Sequence, residues 1–576
     1  MQVPPPKRNR FLLLLVLFVV AVTSWWFLNP RERIYRGQAV GAWVRQLSIT
    51  QIGQTNAVLD ALLDIGPDCL PPLACELQAR DNFLATLFEK YRPKLPGAAQ
   101  KVLPKPSSRS QRRATAAWAL GQIGPAARPL TPALVAALDD PEDQVRAEAA
   151  QALRWIGCKT PEVIAALARC LRDKASRVQS QAATTLWDMA PESQAALPAL
   201  IQLLHVPDRA SDSALCLQEL GPLASNAVPA LIEVVKRGAA GRATNWTFPV
   251  VAGADGKPDG KDYSAHNRAM AAKALGKIGI ASGEVIETLQ AALKYPPSLE
   301  GVPELPRAWV CQNAAQALGF LGTNAIAAIP ALTRALNGTN PAALQEVALA
   351  LGAMGAHARE SLPQLRDLLS ELPEPFAARA GVGEERKWEL FWLRGAVARA
   401  IAQIDSTDKT SLVVLFERAD TDFYARRYLE GLGARMNEFV SELTEKLGRT
   451  NGQPQAATAE LLWHIDADNP AVVPALRQVM QYTNSATRAY AAYWYWKVTG
   501  DANAAIKIMV AGLKERPSGV SQAFPQWLGR MEAAARPAVP ALKKALWHHD
   551  IYTRRNAGKA LEKIDPAAPE LPGSHK

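Results

Sequence analysis

The chain has 576 residues, a formal net charge of +11 and six cysteines. This length exceeds what one compact core supports, so the sequence predicts several domains or an array of repeats. The cysteines are scattered without CxxC spacing, which excludes a disulfide-rich scaffold. The positive charge suits an anionic membrane surface or a polyanion, but the basic residues are also scattered, apart from one group within 101–113.

The N-terminus combines a basic segment, residues 1–10, with an apolar run that extends over 11–28. That run is just long enough to cross a bilayer as a helix, and Trp25 and Trp26 suit the aromatic belt at its far interface. We therefore expect a single-pass transmembrane anchor with the body on the extracytoplasmic, periplasmic side. A cleaved signal peptide, followed by secretion, is the alternative.

The rest of the chain repeats one short tract with a period of 33 residues. It appears as "TPALVAAL" at 131 and returns as "LPALIQLL" at 197, "IPALTRAL" at 329 and "VPALKKAL" at 539. Each copy carries proline where a helix would begin, at a position that needs no N–H donor. These structural repeat positions are Pro132, Pro198, Pro229, Pro330, Pro363, Pro474 and Pro540.

A second tract alternates with the first, as in "RATAAWALGQIG" at 113 and "RAEAAQALRWIG" at 146. Its apolar residues have helical spacing and it closes in Gly or Asp, which is typical of a helix C-terminus. Each unit is thus helix, turn, helix. One pair cannot bury its apolar face alone, so the sequence predicts an all-α, right-handed α-solenoid of stacked pairs.

The stretch "DDPEDQV", residues 139–145, joins two helix pairs in this scheme. Related turns keep the spacing to an arginine in the following helix but lose the acidic residues. A metal site should retain its ligands, whereas a turn need only retain its shape, so we interpret the stretch as a turn. Arg146, Arg488 and Arg554 are the corresponding structural positions.

These tracts resemble HEAT repeats, notably the short subclass called PBS-lyase HEAT-like repeats. The resemblance covers most of residues 51–565, in ten to twelve units, and implies an armadillo-type α-solenoid. The connecting segment 29–50 is similar to the start of membrane-anchored bacterial HEAT-repeat proteins of unknown function. Residues 566–576 are predicted to be a disordered tail. The resemblance implies a fold and a general role rather than a reaction.

Three ranges do not follow the 33-residue repeat and are predicted to be insertions: 80–112, 238–265 and 371–392. Long loops of solenoids often belong to the binding face, so aromatic residues there are candidate partner contacts. They are Trp246, Phe248, Trp388 and Trp392. The insertion 238–265 also contains "DGKPDGKD". This stretch only superficially resembles a calcium-binding loop, because it lacks the order of ligands and the closing glutamate of such a loop.

An aromatic cluster, "YAAYWYWK", occupies 490–497. Tyr490 and Tyr493 replace polar residues of the repeat and are predicted as an exposed aromatic anchor for a partner. The alternative is that the C-terminal repeats cover them. Tryptophans recur two positions before the helix end at Trp187, Trp463 and Trp496, which favours a packing role.

The sequence contains no H-E-x-x-H, G-x-S-x-G or P-loop motif. We therefore expect no catalytic activity, cofactor, metal or small-molecule substrate. The leading hypothesis is a membrane-anchored scaffold that binds one or more proteins. A solenoid that binds nucleic acid or another polyanion is the alternative, and a bilin-lyase-like enzyme or enzyme accessory subunit is the second alternative.

Overall fold

A computed structural model describes residues 34–47, 55–79, 109–206, 209–236, 263–294, 304–373, 384–419, 421–515 and 522–565. The predicted anchor, the tail, and both Trp246 and Phe248 lie outside these described residues.

The described part is an α-solenoid preceded by a small hairpin. Strands β1 (Ile34–Tyr35) and β2 (Gln38–Ala39) pair antiparallel, and Trp43 donates its indole N–H to the carbonyl of Tyr35 at 3.0 Å. In chain order the helices are α1 Val40–Leu47, α2 Thr55–Ile65, α3 Leu70–Leu77, α4 Arg109–Ile123, α5 Thr131–Ala137, α6 Asp143–Ile156, α7 Pro161–Cys170, α8 Ser176–Asp188, α9 Leu197–Leu203, α10 Ala210–Leu220, α11 Val228–Lys236, α12 Tyr263–Ile278, α13 Gly283–Leu293, α14 Glu304–Leu321, α15 Ile329–Ala335, α16 Pro341–Ala353, α17 Leu362–Glu371, α18 Glu384–Ile404, α19 Lys409–Arg418, α20 Phe423–Leu432, α21 Val440–Arg449, α22 Gly452–Ile465, α23 Val472–Val479, α24 Ser485–Thr499, α25 Ala502–Gly512, α26 Ala523–Arg530, α27 Val539–Ala545 and α28 Ile551–Ile564.

The helices from α2 to α27 form thirteen pairs, so the described residues hold at least one pair more than predicted. Even-numbered helices are the first of each pair and odd-numbered helices the second, and α28 ends the stack. Every predicted repeat proline lies in the first turn of a second helix, as Pro132 does in α5 and Pro474 in α23. The second helices therefore begin where the sequence predicts.

From α4 to α18, consecutive first helices pack closely against each other, whereas consecutive second helices contact each other much less; α18, α20 and α22 are also only loosely in contact. Small residues make this approach possible. A Cβ on Gly276 would lie 2.4 Å from the Cα of Ala317 on the next first helix, and one on Gly121 would lie 2.9 Å from the Cα of Ala152. Because closer spacing in one layer bends a stack toward that layer, the first helices form the inner side of the curvature.

An arginine near the start of many first helices ties each turn to the next. Its guanidinium donates to backbone carbonyls of the preceding turn, which a helix end would otherwise leave without donors. Seven arginines do this: Arg113, Arg146, Arg268, Arg394, Arg426, Arg488 and Arg554. Arg146, Arg488 and Arg554, the arginines predicted as structural positions, are among those that make these contacts. We call this series of contacts between neighbouring turns the turn ladder.

The turn 139–145 uses its acidic residues in the same ladder. Arg113 binds Asp140 through two hydrogen bonds of 2.8 and 3.2 Å. Asp143 lies in the first turn of α6, where the positive end of the helix dipole favours a carboxylate. No group of three or more His, Cys, Asp or Glu side chains in the described ranges is arranged to hold a metal ion.

The last helix returns to the first repeats. Arg554 of α28 donates to the carbonyl of Gln122, Arg128 pairs with Glu562, and Arg555 donates to Asp188 at 2.8 Å. Gly558 makes room for the ring of Pro125, because a Cβ there would lie 2.7 Å from the proline Cγ. The solenoid is therefore closed by contacts between its two ends.

Among the residues that the structure describes, one stretch, Ala308–Ala335, is by length and composition apolar enough to cross a membrane. It is not one straight helix, because α14 and α15 meet across a kink at Ala325, and half of its most apolar window is buried. We assign it to the solenoid core.

Candidate functional site

Exposed large aromatic side chains concentrate on three of four consecutive first helices. Across the described residues, all but Tyr552 of them lie on α14, α18 and α20: Trp309, Phe320, Trp388, Trp392, Phe423 and Tyr424. Scattered exposed apolar residues are normal in soluble proteins, but a contiguous group marks an interaction surface. We call the five that adjoin one another around one cavity, all except Trp309, the aromatic groove.

Two of the six residues predicted as partner contacts lie in the groove. Trp388 is 54% exposed and Trp392 is 38% exposed. Both stand on α18, which begins at Glu384, so the predicted insertion 371–392 is partly helix rather than loop. The other two insertions are also shorter at their C-terminal ends, because α4 begins at Arg109 and α12 at Tyr263.

The two tryptophans are held by a third ring between them. Phe391 packs edge-on against Trp388 at 5.6 Å and against Trp392 at 5.3 Å, measured between ring centroids. The buried guanidinium of Arg418 lies 3.5 Å from the Phe391 centroid and donates to the Phe391 carbonyl at 2.6 Å. Burial lowers the pKa of Arg418 to about 10. The tryptophan pair is thus fixed from below by a cation–π contact and a hydrogen bond.

A cavity of about 300 Å³ opens in the groove between α14, α16, α18 and α20. Phe320, Trp392 and Tyr424 supply aromatic walls, and Glu346 and Arg399 supply charges. The guanidinium of Arg399 lies 5.1 Å from the ring centroid of Tyr424. The combination of apolar walls and a few polar groups is typical of a recognition site.

The cavity floor depends on a glycine and a helix cap. A Cβ on Gly395 would lie 2.9 Å from both Arg418 Nε and Asp422 Oδ2, so no other residue fits without displacing the pair. Asp422 Oδ1 accepts hydrogen bonds from the backbone N–H of Tyr424 at 2.9 Å and of Ala425 at 3.1 Å. This N-cap fixes the start of α20 and thereby the position of the Tyr424 ring.

The predicted tyrosine pair lies outside the groove, on α24. Tyr490 and Tyr493 are half-buried against Trp527, with ring centroids 5.4 and 4.8 Å from it. The hydroxyl of Tyr490 donates to Glu460, which Arg426 also contacts at 3.2 Å. The pair is therefore not an exposed anchor, and the alternative, coverage by the C-terminal repeats, describes it. The recurring tryptophans Trp187, Trp463 and Trp496 pack half-buried against the core.

The repeat itself defines the class of protein. Thirteen stacked helix pairs joined by turn arginines make the described part of the chain an α-solenoid repeat protein. A family model described as HEAT repeats matches residues 100–187 and 131–221. HEAT repeats are therefore identified over 100–221, and the described helix pairs on either side continue the same α-solenoid stack.

Two solved structures are similar at low identity. One is an engineered protein of the Northeast Structural Genomics Consortium, with 17% identity and a TM-score of 0.28, covering 86% of this chain and 98% of that one. The other is Kap121p, with 13% identity and a TM-score of 0.32, covering 88% of this chain and 58% of that one. The chain thus spans somewhat over half the length of Kap121p. No curated protein sequence matches the chain.

Sequence reasoning missed Phe320, Arg399 and Tyr424 as groove residues. Each lies in a helix whose repeat pattern accounts for the neighbouring core residues, so nothing local distinguishes it. The available signal was the pair of adjacent aromatics in "DFYARRY" at 422–428, where an exposed helix face would ordinarily carry polar residues.

Proposed function

We propose that this protein is a membrane-anchored scaffold that holds a partner protein in the aromatic groove. The observation that carries the proposal is the concentration of exposed aromatic side chains on α14, α18 and α20. Tryptophan and tyrosine anchors dominate the energetics of protein interfaces, especially beside a cavity that excludes water. HEAT-repeat solenoids offer such extended surfaces to proteins.

The anchor is the segment 11–28, whose length and flanking basic residues support insertion with the body on the extracytoplasmic side. A truncated chain that lacks residues 1–28 should leave the membrane fraction, and the full chain should stay there after an alkaline carbonate wash. Release of the full chain by the wash would favour the secreted, signal-cleaved form.

A partner protein fits the groove better than a polyanion does. Many arginines along the described solenoid are already engaged by carboxylates, as in the pairs Arg112–Glu76 and Arg146–Asp173. The groove itself combines aromatic walls with charges of both signs. A nucleic-acid site instead relies on a concentrated row of free basic groups along the backbone track. We propose no catalytic role for the scaffold.

The test is site-specific photo-crosslinking in cells that carry the full-length chain. p-Benzoylphenylalanine replaces Trp392 in one strain and Val413 in a matched strain. Val413 is also an exposed apolar residue, but it lies on the second helix α19. The proposal predicts one discrete protein adduct from position 392 and none of that size from position 413.

The captured protein is then purified and titrated against the full-length chain. The double variant Trp388→Ala, Trp392→Ala should weaken binding about tenfold to several hundredfold, as the loss of two interface anchors does. Equal adducts at both positions, or unchanged affinity of the double variant, would overturn the groove as the docking site.

A further inference from the structure

The aromatic groove contains an arginine whose guanidinium makes no hydrogen bond or ion pair with a carboxylate of the described protein, although Asp422 and Glu346 act on it at longer range. Arg399 projects from α18 into the cavity, and its Nε is enclosed without a hydrogen-bond acceptor. Among the described residues no carboxylate lies within 4 Å of its guanidinium, which instead faces the ring of Tyr424. An enclosed guanidinium donor without an acceptor is costly, and a charged acceptor satisfies it most strongly.

Resting on the proposed function, we infer that the groove recognises an acidic segment of the partner protein. An Asp or Glu side chain of that segment binds the Arg399 guanidinium, and an adjacent apolar side chain enters the space between Phe320, Trp392 and Tyr424. The planar fork of an arginine matches a carboxylate through two parallel hydrogen bonds, which gives direction as well as affinity.

The acidic groups around the cavity favour the charged form of Arg399 from a distance, but neither accepts a hydrogen bond from its guanidinium. Asp422 is occupied by the N–H groups of α20 and by Arg418, whose Nε lies 3.8 Å from its Oδ2. Burial raises the pKa of Glu346, and a hydrogen bond from Gln316 and the charge of Lys273 offset part of the increase. Burial likewise lowers the pKa of Arg399, with Asp422 the main opposing influence.

Two lysines of α12 add further positive charge at the edge of the cavity. Lys273 lies close enough to Glu346 to influence its ionisation, and the ammonium of Lys277 lies 4.3 Å from the ring centroid of Phe320. These two lysines and Arg399 outnumber the two carboxylates of the cavity, Glu346 and Asp422. The groove is therefore complementary to an anionic segment rather than to a basic one.

The size of the cavity fits a short segment. A volume of about 300 Å³ lies at the lower end of ligand pockets, which suits one or two side chains of an extended peptide rather than a large cofactor. The remaining contact area comes from the exposed faces of Trp388 and Phe423, which adjoin Trp392 and Tyr424.

The test uses two phage-displayed libraries of random dodecapeptides, selected on the full-length chain in detergent. One library encodes all residues and the other omits Asp and Glu. Enriched peptides are synthesised with a fluorophore and titrated by anisotropy against wild-type protein, Arg399→Met, Arg399→Lys and Trp392→Ala. Arg169→Met is the matched control, because Arg169 is an exposed arginine of α7, outside the groove, that pairs with Asp139.

We expect peptides only from the library with acidic residues, each with an acid beside an apolar residue. Arg399→Met should weaken their binding about tenfold to a hundredfold, corresponding to the loss of a charged hydrogen-bonded pair. Arg399→Lys should give an intermediate loss and Arg169→Met none. Met keeps much of the length of the side chain, and unchanged circular dichroism and tryptophan emission verify the fold of each variant.

Two results would overturn the inference in different ways. Peptides that need Trp392 but bind Arg399→Met as well as wild type would refute acid recognition while leaving the groove as a docking site. Peptides that are indifferent to both Trp392→Ala and Arg399→Met would remove the groove itself, and with it the proposed function.

Discussion

The turn ladder makes its strongest prediction at Arg146. The guanidinium donates to Asp173 through Nε at 2.7 Å and Nη2 at 2.8 Å, and through Nη1 to the carbonyls of Asp140 at 2.7 Å and Pro141 at 3.0 Å. The side chains of the pair are only 15% and 12% exposed. Arg146→Met leaves the carboxylate and both carbonyls without these donors. Breaking a buried pair costs about 3–5 kcal/mol, and we expect about 3 kcal/mol because Ala175 N–H still binds Asp173 at 2.8 Å.

The assay is native-state hydrogen exchange with mass spectrometry, because stability in a repeat array is largely local. Amides of α6 to α8 should exchange roughly a hundredfold faster in the variant, the factor that corresponds to about 3 kcal/mol. The control is Arg169→Met, which removes a pair with Asp139 whose side chains are 61% and 71% exposed at 3.5 Å. Exposed pairs contribute at most about 1 kcal/mol, so exchange should barely change. Equal effects of the two variants would refute the ladder as a source of stability.

The Arg146–Asp173 pair also predicts how acid changes the local stability. Hydrogen bonding from Arg146 lowers the pKa of Asp173 below its ordinary value. The stabilisation is therefore complete above the unfolded pKa of about 3.9 and is lost as pH falls through the lower folded value. When the pH is lowered from about 4 to 2, wild type should therefore lose more local stability than Arg146→Met does, because the variant has already lost the pair.

Two further predictions concern the closure and a buried acid. Gly558→Val places side-chain atoms against Pro125 and should detach α28, so that backbone hydrogen exchange becomes faster in 109–130 and 551–564. The control Gly448→Ala, where a Cβ meets nothing within 4 Å, should leave exchange unchanged. Unchanged exchange in Gly558→Val would contradict the closure. Burial raises the pKa of Glu460 to about 7, above an unfolded value of about 4.3, so its contribution to stability is lost as pH rises from about 5 to 7. Glu460→Gln should reduce the change of the melting temperature with pH over that window. If the variant's melting temperature changes with pH as steeply as that of wild type, another group is responsible for the titration.

Much of the fold follows from the sequence because repeat contacts are local. The prolines of the second helices and the arginines of the turns recur at fixed spacing, and each acts on a neighbour about one repeat away. Pro132 begins α5 and Arg146 bridges two turns, as their spacing predicts. Copies without the proline, such as α13 and α21, obscured the count of units.

The closure and the groove could not be predicted in this way. The contact between Arg554 and Gln122 joins residues more than 400 positions apart, and it depends on the curvature accumulated over all intervening pairs. The groove likewise forms only when α14, α16, α18 and α20 are stacked in one layer. Trp388 and Trp392 were found as exposed aromatics in an irregular stretch, whereas Arg399 lies inside a regular helical pattern and carries no local signal.

The central claim is that a partner protein docks on the aromatic groove of the inner layer. The most direct measurement is the hydrogen-exchange footprint of the full-length chain with and without the purified protein that crosslinks at position 392. We predict protection concentrated in α14, α18 and α20, and its loss in Trp388→Ala, Trp392→Ala. Protection confined to second helices such as α15 and α19, with none on α18, would contradict the account.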